Sequence, residues 1–184
     1  MAKLTIDQLN LKGKKALIRC DFNVPLDEKL NITDDRRIVA SLPTIKKVLK
    51  DGGMPVLCSH LGRPKGQVKE EMRLKPVAKR LEQLLKTKVI MAADCIGEEV
   101  SQLKKALKPG EVLLLENLRF HKEETDNDPE FAKKLTEGVD LYINDAFGTA
   151  HRAHASTEGV TKYVKQCAAG YLIDKELKLS LIHI

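Results

Sequence analysis

Short, almost wholly apolar runs alternate along this chain with amphipathic stretches of about a dozen residues, and that alternation permits few folds. Ala16–Phe22, Pro55–Ser59, Lys88–Met91, Glu111–Leu115 and Val139–Ile143 read as strands. Between them, a helix is predicted from Asp34 or Asp35 to Lys50, with Ile38, Leu42, Ile45 and Leu49 on one stripe. Either aspartate could supply its cap, and Asp51-Gly52-Gly53 ends it. Further helices are predicted over Leu74–Leu85, Glu98–Leu107 and Pro129–Glu137, the last with proline in its first turn and Gly138 at its end. Ser156–Val164 is read as helical too. Strands without a polar face are covered on both sides. The pattern therefore predicts an α/β fold: a Rossmann-like three-layer α/β/α domain with a mostly parallel sheet and right-handed βαβ crossovers.

Composition narrows the function classes. The chain has 184 residues, 42% of them apolar and 32% charged, which suits one globular domain with a substantial core. No apolar run reaches the roughly 20 residues that span a bilayer, and Met1–Lys14 lacks the apolar centre of a signal peptide. No membrane partner and a cytoplasmic location are expected. A net charge of +6 points to an anionic partner. With aromatics at 4% and no Trp, a base-stacking surface is not expected; nucleic-acid signatures are absent, and a phosphorylated small molecule fits the charge. Cys20, Cys58, Cys95 and Cys167 form no C-x-x-C pair and match no zinc spacing, so reduced, structural thiols and no metal are expected.

The candidate chemistry lies in the segments that follow the strands. They are Asp21-Phe22-Asn23-Val24-Pro25, Ser59-His60-Leu61-Gly62-Arg63-Pro64-Lys65-Gly66, Glu116-Asn117-Leu118-Arg119-Phe120-His121 and Asn144 to His154. In a parallel sheet all four share the carboxyl-end rim, where α/β folds bind ligands. That rim would gather Asp21, Asn23, His60, Arg63, Arg119, His151 and Arg152. Arginines so placed suit phosphate or carboxylate, and Gly62 and Gly148 would let backbone N–H groups approach an anion. Taken singly, each residue has a plain alternative: Asp21 capping a turn, His60 a satisfied buried histidine, Arg36 and Arg37 a solvated helix face. His151-x-x-His154 has no evident third metal ligand. No P-loop, dinucleotide fingerprint or nucleophile elbow occurs, so no nucleotide or other cofactor is expected to bind here.

Arg19–Pro25, Ser59–Gly66, Leu115–Phe120 and Asn144–Ser156 resemble, in order and spacing, the motifs of the phosphoglycerate kinase family, and the likeness runs from the first strand to Lys178. The resemblance implies a monomeric, two-lobed glycolytic phosphotransferase that moves a phosphoryl group between ATP and the carboxyl group of 3-phosphoglycerate. Residues 1–178 would be its N-terminal lobe, which binds 3-phosphoglycerate or 1,3-bisphosphoglycerate. Mg-ATP or Mg-ADP would bind a C-terminal lobe that this sequence lacks. By position, Asp21 and Asn23 would contact the glycerate portion, and His60, Arg63, Arg119 and Arg152 would hold its phosphate and carboxylate ends. Phe22, Leu61 and Gly62 would be further substrate-binding positions. Arg37, which directly precedes Ile38, would be both substrate-binding and catalytic, while Arg36 would not.

Ala168–Lys178 resembles the approach to the family's inter-lobe helix. Leu179-Ser-Leu-Ile-His-Ile184 does not continue the pattern and reads as the translation of a sequencing adapter, an artefactual tail. Without a second lobe, no turnover is expected from the fragment alone. The alternative reading is a non-catalytic anion-binding domain.

Overall fold

The computed structural model describes residues 4–182. Seven strands are named in order: β1 (Leu4–Thr5), β2 (Lys15–Arg19), β3 (Met54–Cys58), β4 (Val89–Met91), β5 (Val112–Leu114), β6 (Leu141–Asn144) and β7 (Gln166–Ala169). They form one sheet in the order β1-β7-β6-β2-β3-β5-β4, and every pairing between them is parallel. The helices are α1 (Arg36–Lys50), α2 (Lys75–Leu85), α3 (Glu98–Ala106), α4 (Lys122–Thr125), α5 (Pro129–Thr136) and α6 (Tyr171–Ile182).

Alternate residues of each central strand enter opposite cores, as the pleat requires. Ala16, Ile18, Leu57, Val112, Leu114 and Ile143 pack with Ile38, Ile45 and Val48 of α1 and Val77 and Leu81 of α2. Leu17, Val56, Leu113 and Tyr142 pack on the other face with Val100, Phe131, Leu135 and Val160. This is the three-layer architecture expected from the strand pattern. The β4, α2, α3 and α5 spans agree with expectation to within a residue or two. The α5 start is chemically explicit: Asp128 Oδ2 accepts the Phe131 N–H at 2.9 Å and Pro129 opens the helix.

Two local expectations change, and three short elements were not foreseen. Neither Asp34 nor Asp35 caps α1 in the usual way. Asp34 accepts the Arg36 N–H at 3.0 Å and pairs with its guanidinium. Asp35 occupies the cap position, but its carboxylate is drawn to Arg80 of α2 at 2.8 Å. Ser156–Val164 is not an α-helix; only Gly159–Lys162 forms a short 3-10 turn. There the Ser156 N–H is taken by Glu124 and the Thr157 hydroxyl by Arg152 O, and such side-chain bonds compete with helix formation. Finally, β1, β7 and α4 are too short to show a period in the sequence. Within the segment read as a foreign tail, α6 continues without a break to Ile182; His183 and Ile184 lie outside the described residues.

The chain leaves β2 toward β3, β4 and β5, then crosses back to place β6 on the other side of β2. The strand order thus reverses at β2–β6, and the loops after these strands open a crevice there. Register sets its level, because Arg19 is paired with Cys58 on one side and with Asn144 on the other. Leu57, with no exposure, sits between β2 and β5 in this central stack. Leu57→Ala should therefore destabilise the domain by about 3–5 kcal/mol. Urea denaturation would show this as a lower midpoint with an unchanged slope.

Candidate functional site

Just beyond the strand ends, buried side chains fix the loops before any ligand is considered. Arg19, the last residue of β2, is fully buried. Its Nε donates to Ser156 Oγ at 2.9 Å, Nη1 to Cys20 O at 2.5 Å, and Nη2 to His60 Nδ1 at 2.9 Å. Ser156 Oγ passes the interaction on, donating to Glu124 Oε2 at 2.5 Å. Ser59 Oγ accepts the Phe22 N–H at 2.9 Å. Asn117, also fully buried, donates to Leu61 O and Met72 O and accepts the Arg119 N–H. One guanidinium and one amide thereby join all four loops.

His60 is 6% exposed, and its pKa is depressed to about 2 by burial first and then by the charges of Arg19, Arg119 and Arg152. A neutral ring that accepts from Arg19 at Nδ1 carries its proton on Nε2, so it offers a neutral donor. Arg119 is half-buried; burial and the nearby guanidinium groups of Arg19, Arg152 and Arg63 lower its pKa. Its Nε is buried without a hydrogen-bond partner among the described residues, as is Nδ1 of His154. Burial also lowers the His154 pKa. Arg63 and Arg152 are exposed. Arg63 and Arg119, with Lys65 and Lys122, line a hollow of about 350 Å³.

The other half of the crevice is polar. Asp21 Oδ1 accepts the Asn23 N–H at 3.2 Å, closing a turn, and lies 3.5 Å from Arg37 Nη1. Asn23 Oδ1 accepts the Gly62 N–H at 2.9 Å. Gly62 holds φ +66 with Met72 close against it, a place with little room for a side chain. Arg37 also donates to Asn23 O at 2.8 Å, whereas Arg36 turns to solvent with Asp34. Phe22 and Leu61 are buried and support these turns from below. Gly148 is exposed, and a side chain there would meet Asp21 only at ordinary van der Waals distance, while His151 is exposed with its ring edge-on to Phe147.

Two sub-sites therefore meet at the switch point: a polar one of Asp21, Asn23 and Arg37, and a cationic one of His60, Arg63, Arg119 and Arg152. A larger hollow of about 840 Å³ lies between residues 30–35 and α2. Its lining mixes Asp34, Asp35 and Glu70 with Arg73, Lys75, Lys79 and Arg80, and Arg73 and Arg80 are paired, so its charge is closer to balance than that of the switch-point site.

A sequence model of the phosphoglycerate kinase family matches residues 6–181. This chain belongs to that family. It is 60% identical over 177 residues to the phosphoglycerate kinase of Chlorobium limicola, covering 96% of this chain and 45% of that protein. Against that of Gloeothece citriformis the figures are 59% over 180 residues, 96% and 45%. The solved phosphoglycerate kinase of Coxiella burnetii superposes with a TM-score of 0.84 at 40% identity, covering 96% of this chain and 44% of that one. The phosphoglycerate kinase of Pyrococcus horikoshii gives 0.84 at 32%, with 95% and 44% covered. The chain thus spans under half the length of these phosphoglycerate kinases.

Arg19, Asn117, Glu124, His154 and Ser156 are absent from the residues selected by sequence. Arg19 had a visible signal, a cation in the middle of a mostly apolar strand. Glu124 and Ser156 had none, since 32 residues separate them and only folding makes them partners. The histidine generates a pH test. A native pKa of about 2 lies below the ordinary 6.5, so protonation favours the unfolded chain. Stability from this group is complete above pH 6.5 and is lost progressively as pH falls toward 2. His60 ring resonances should stay flat from about pH 8 to 5, and His60→Gln should flatten the acid limb of the stability curve. A midpoint near 6.5 would exclude the buried neutral ring.

Proposed function

We propose that residues 1–178 are the 3-phosphoglycerate-binding lobe of a phosphoglycerate kinase. The observation that carries this reading is the uncompensated cluster of Arg63, Arg119 and Arg152 around neutral His60, beside the Asp21–Asn23–Arg37 turn. An anion bearing a phosphate at one end, a carboxylate at the other and a hydroxyl between them fits these two sub-sites. Guanidinium groups bind both charged ends, and Asp21 and Asn23 present acceptor and amide groups to the hydroxyl. The partnerless Arg119 Nε is a donor that a ligand oxygen would satisfy.

In this reading the reaction runs between two lobes. Mg-ATP or Mg-ADP binds the lobe outside this chain and supplies or receives the phosphoryl group. The residues here bind, orient and neutralise. A carboxylate acceptor needs no strong base, so alignment and charge stabilisation do most of the work. Arg37 is half-exposed at the crevice edge and tethered by Asn23 O. That placement lets its guanidinium reach a phosphoryl group arriving from the facing lobe. The fragment alone has no turnover, and the enzyme works as a cytoplasmic monomer.

Calorimetry tests the binding half. The fragment should bind 3-phosphoglycerate at millimolar concentration, and Arg119→Ala should weaken binding by roughly 10- to 100-fold, the worth of one charge-assisted contact. A folded fragment that ignores millimolar ligand would refute the reading. Complementation tests the catalytic half. Mixing the fragment with a separate nucleotide-binding lobe of a relative should restore ATP-dependent turnover, which a purely anion-binding domain would not do. Arg37→Ala in that assembly should lower kcat by about 10³-fold, as loss of an arginine finger does. A loss below tenfold would remove Arg37 from the catalytic role.

A further inference from the structure

Beside the cationic cluster on the same rim lies a second constellation, whose His121 also borders the hollow lined by Arg63 and Arg119. The loop after β4 carries Asp94 and Cys95, and the loop after β5 carries His121. Asp94 Oδ1 and His121 Nε2 are 2.6 Å apart, and the candidate donor atoms of Asp94, Cys95 and His121 all lie within 4.8 Å of one another. From this geometry we propose that Asp94, Cys95 and His121 form a binding site for a zinc-class divalent cation.

The chemistry of the donors selects the cation. A thiolate and an imidazole disfavour calcium and magnesium, which take oxygen ligands. Carboxylate, thiolate and imidazole nitrogen are all zinc donors, and three protein ligands leave the fourth tetrahedral position to water. The charges also balance: one carboxylate and one thiolate neutralise one divalent ion, which limits the cost of holding it at a partly buried place. Donor atoms around a tetrahedral zinc lie about 3–4 Å apart, so Asp94 and His121 need separate by only about 1 Å. Binding displaces the thiol proton to solvent; the Nε2 proton of His121 is released as well where the ring is charged, and moves to Nδ1 where the ring is neutral.

The surroundings support the geometry. Cys95 has no exposure and forms the floor, whereas Asp94 and His121 are half-exposed and form the mouth. The Phe131 ring packs against His121 with centroids 5.4 Å apart, restricting its orientation. Asp94 Oδ1 also accepts the Cys95 N–H at 2.7 Å, holding carboxylate and thiol on one side of the turn. Arg119 and Lys122 neighbour His121 in the chain and oppose a cation; Glu123, whose charge also acts on His121, offsets part of that. Occupancy would tie the loop after β4 to the segment that presents Arg119.

Titration of the fragment with Cd2+ alone, followed by Zn2+ competition, tests the site. One equivalent of Cd2+ should give a thiolate-to-metal charge-transfer band that Zn2+ removes. Cys95→Ser should abolish the band, and His121→Gln and Asp94→Asn should each weaken binding tenfold or more, the scale of losing even a supporting ligand contact. Because His121 and Asp94 are at the surface, those two variants keep the test valid if Cys95→Ser fails to fold. Cys167→Ser, which alters the one partly exposed thiol among the described residues, should bind as the parent does. Absence of a band at one equivalent, or binding unchanged in His121→Gln and Asp94→Asn, would overturn the proposal.

Discussion

A guanidinium without contact with water stands at the carboxyl end of the central strand, and the crevice is built around it. Arg19 is charged and wholly buried, a state that is costly unless each donor is met. Its partners come from four places: Cys20 O, Ser59, His60 and Ser156. Ser156 in turn hands the charge to buried Glu124 through its hydroxyl. The need to satisfy one side chain thus draws together the ends of β2 and β3, the turn after the β6 loop, and α4. None of these segments adjoins the others in sequence.

The same arrangement explains how so much positive charge is held in one place. Arg63, Arg119 and Arg152 repel one another, and Arg119 is already partly desolvated. A protonated histidine among them would add a fourth charge. The Arg19 bond and burial keep His60 neutral instead. The strain of assembling like charges falls on a scaffold of two continuous apolar cores, which supply the stabilisation that the rim consumes. Asp21 is the carboxylate on the polar side, and it engages Arg37 rather than the cationic cluster.

The loop that carries Arg152 is also joined to the last helix. Asp145, at the end of β6, accepts the Leu172 N–H at 2.9 Å, and Thr44 of α1 accepts that of Tyr171 at 3.0 Å. Burial raises the Asp145 pKa to about 7. Gly170 leaves room for this carboxylate, since a Cβ there would stand 2.2 Å from Asp145 Oδ1. The start of α6 is therefore tied to the start of the site loop by the Asp145–Leu172 bond.

The layers of the fold and the address of the site were legible in the sequence because both follow from periodicity. Apolar runs without a polar face require covering on two sides, and parallel strands place their following loops on one rim. Motifs after four strands then named Asp21, Asn23, His60, Arg63, Arg119, His151 and Arg152 as neighbours, of which His151 is exposed against Phe147. Elements of two to four residues, such as β1, β7 and α4, carry no period to read. The cap of α1 was misread because Arg80 competes for Asp35, a contact spanning 45 residues. What the sequence determined alone was the set of groups that the rim would carry. Which of them would be neutral, buried or paired was decided only by tertiary structure, because burial and long-range partners set the charge state of His60, the fate of Arg19 and the meeting of Asp94, Cys95 and His121.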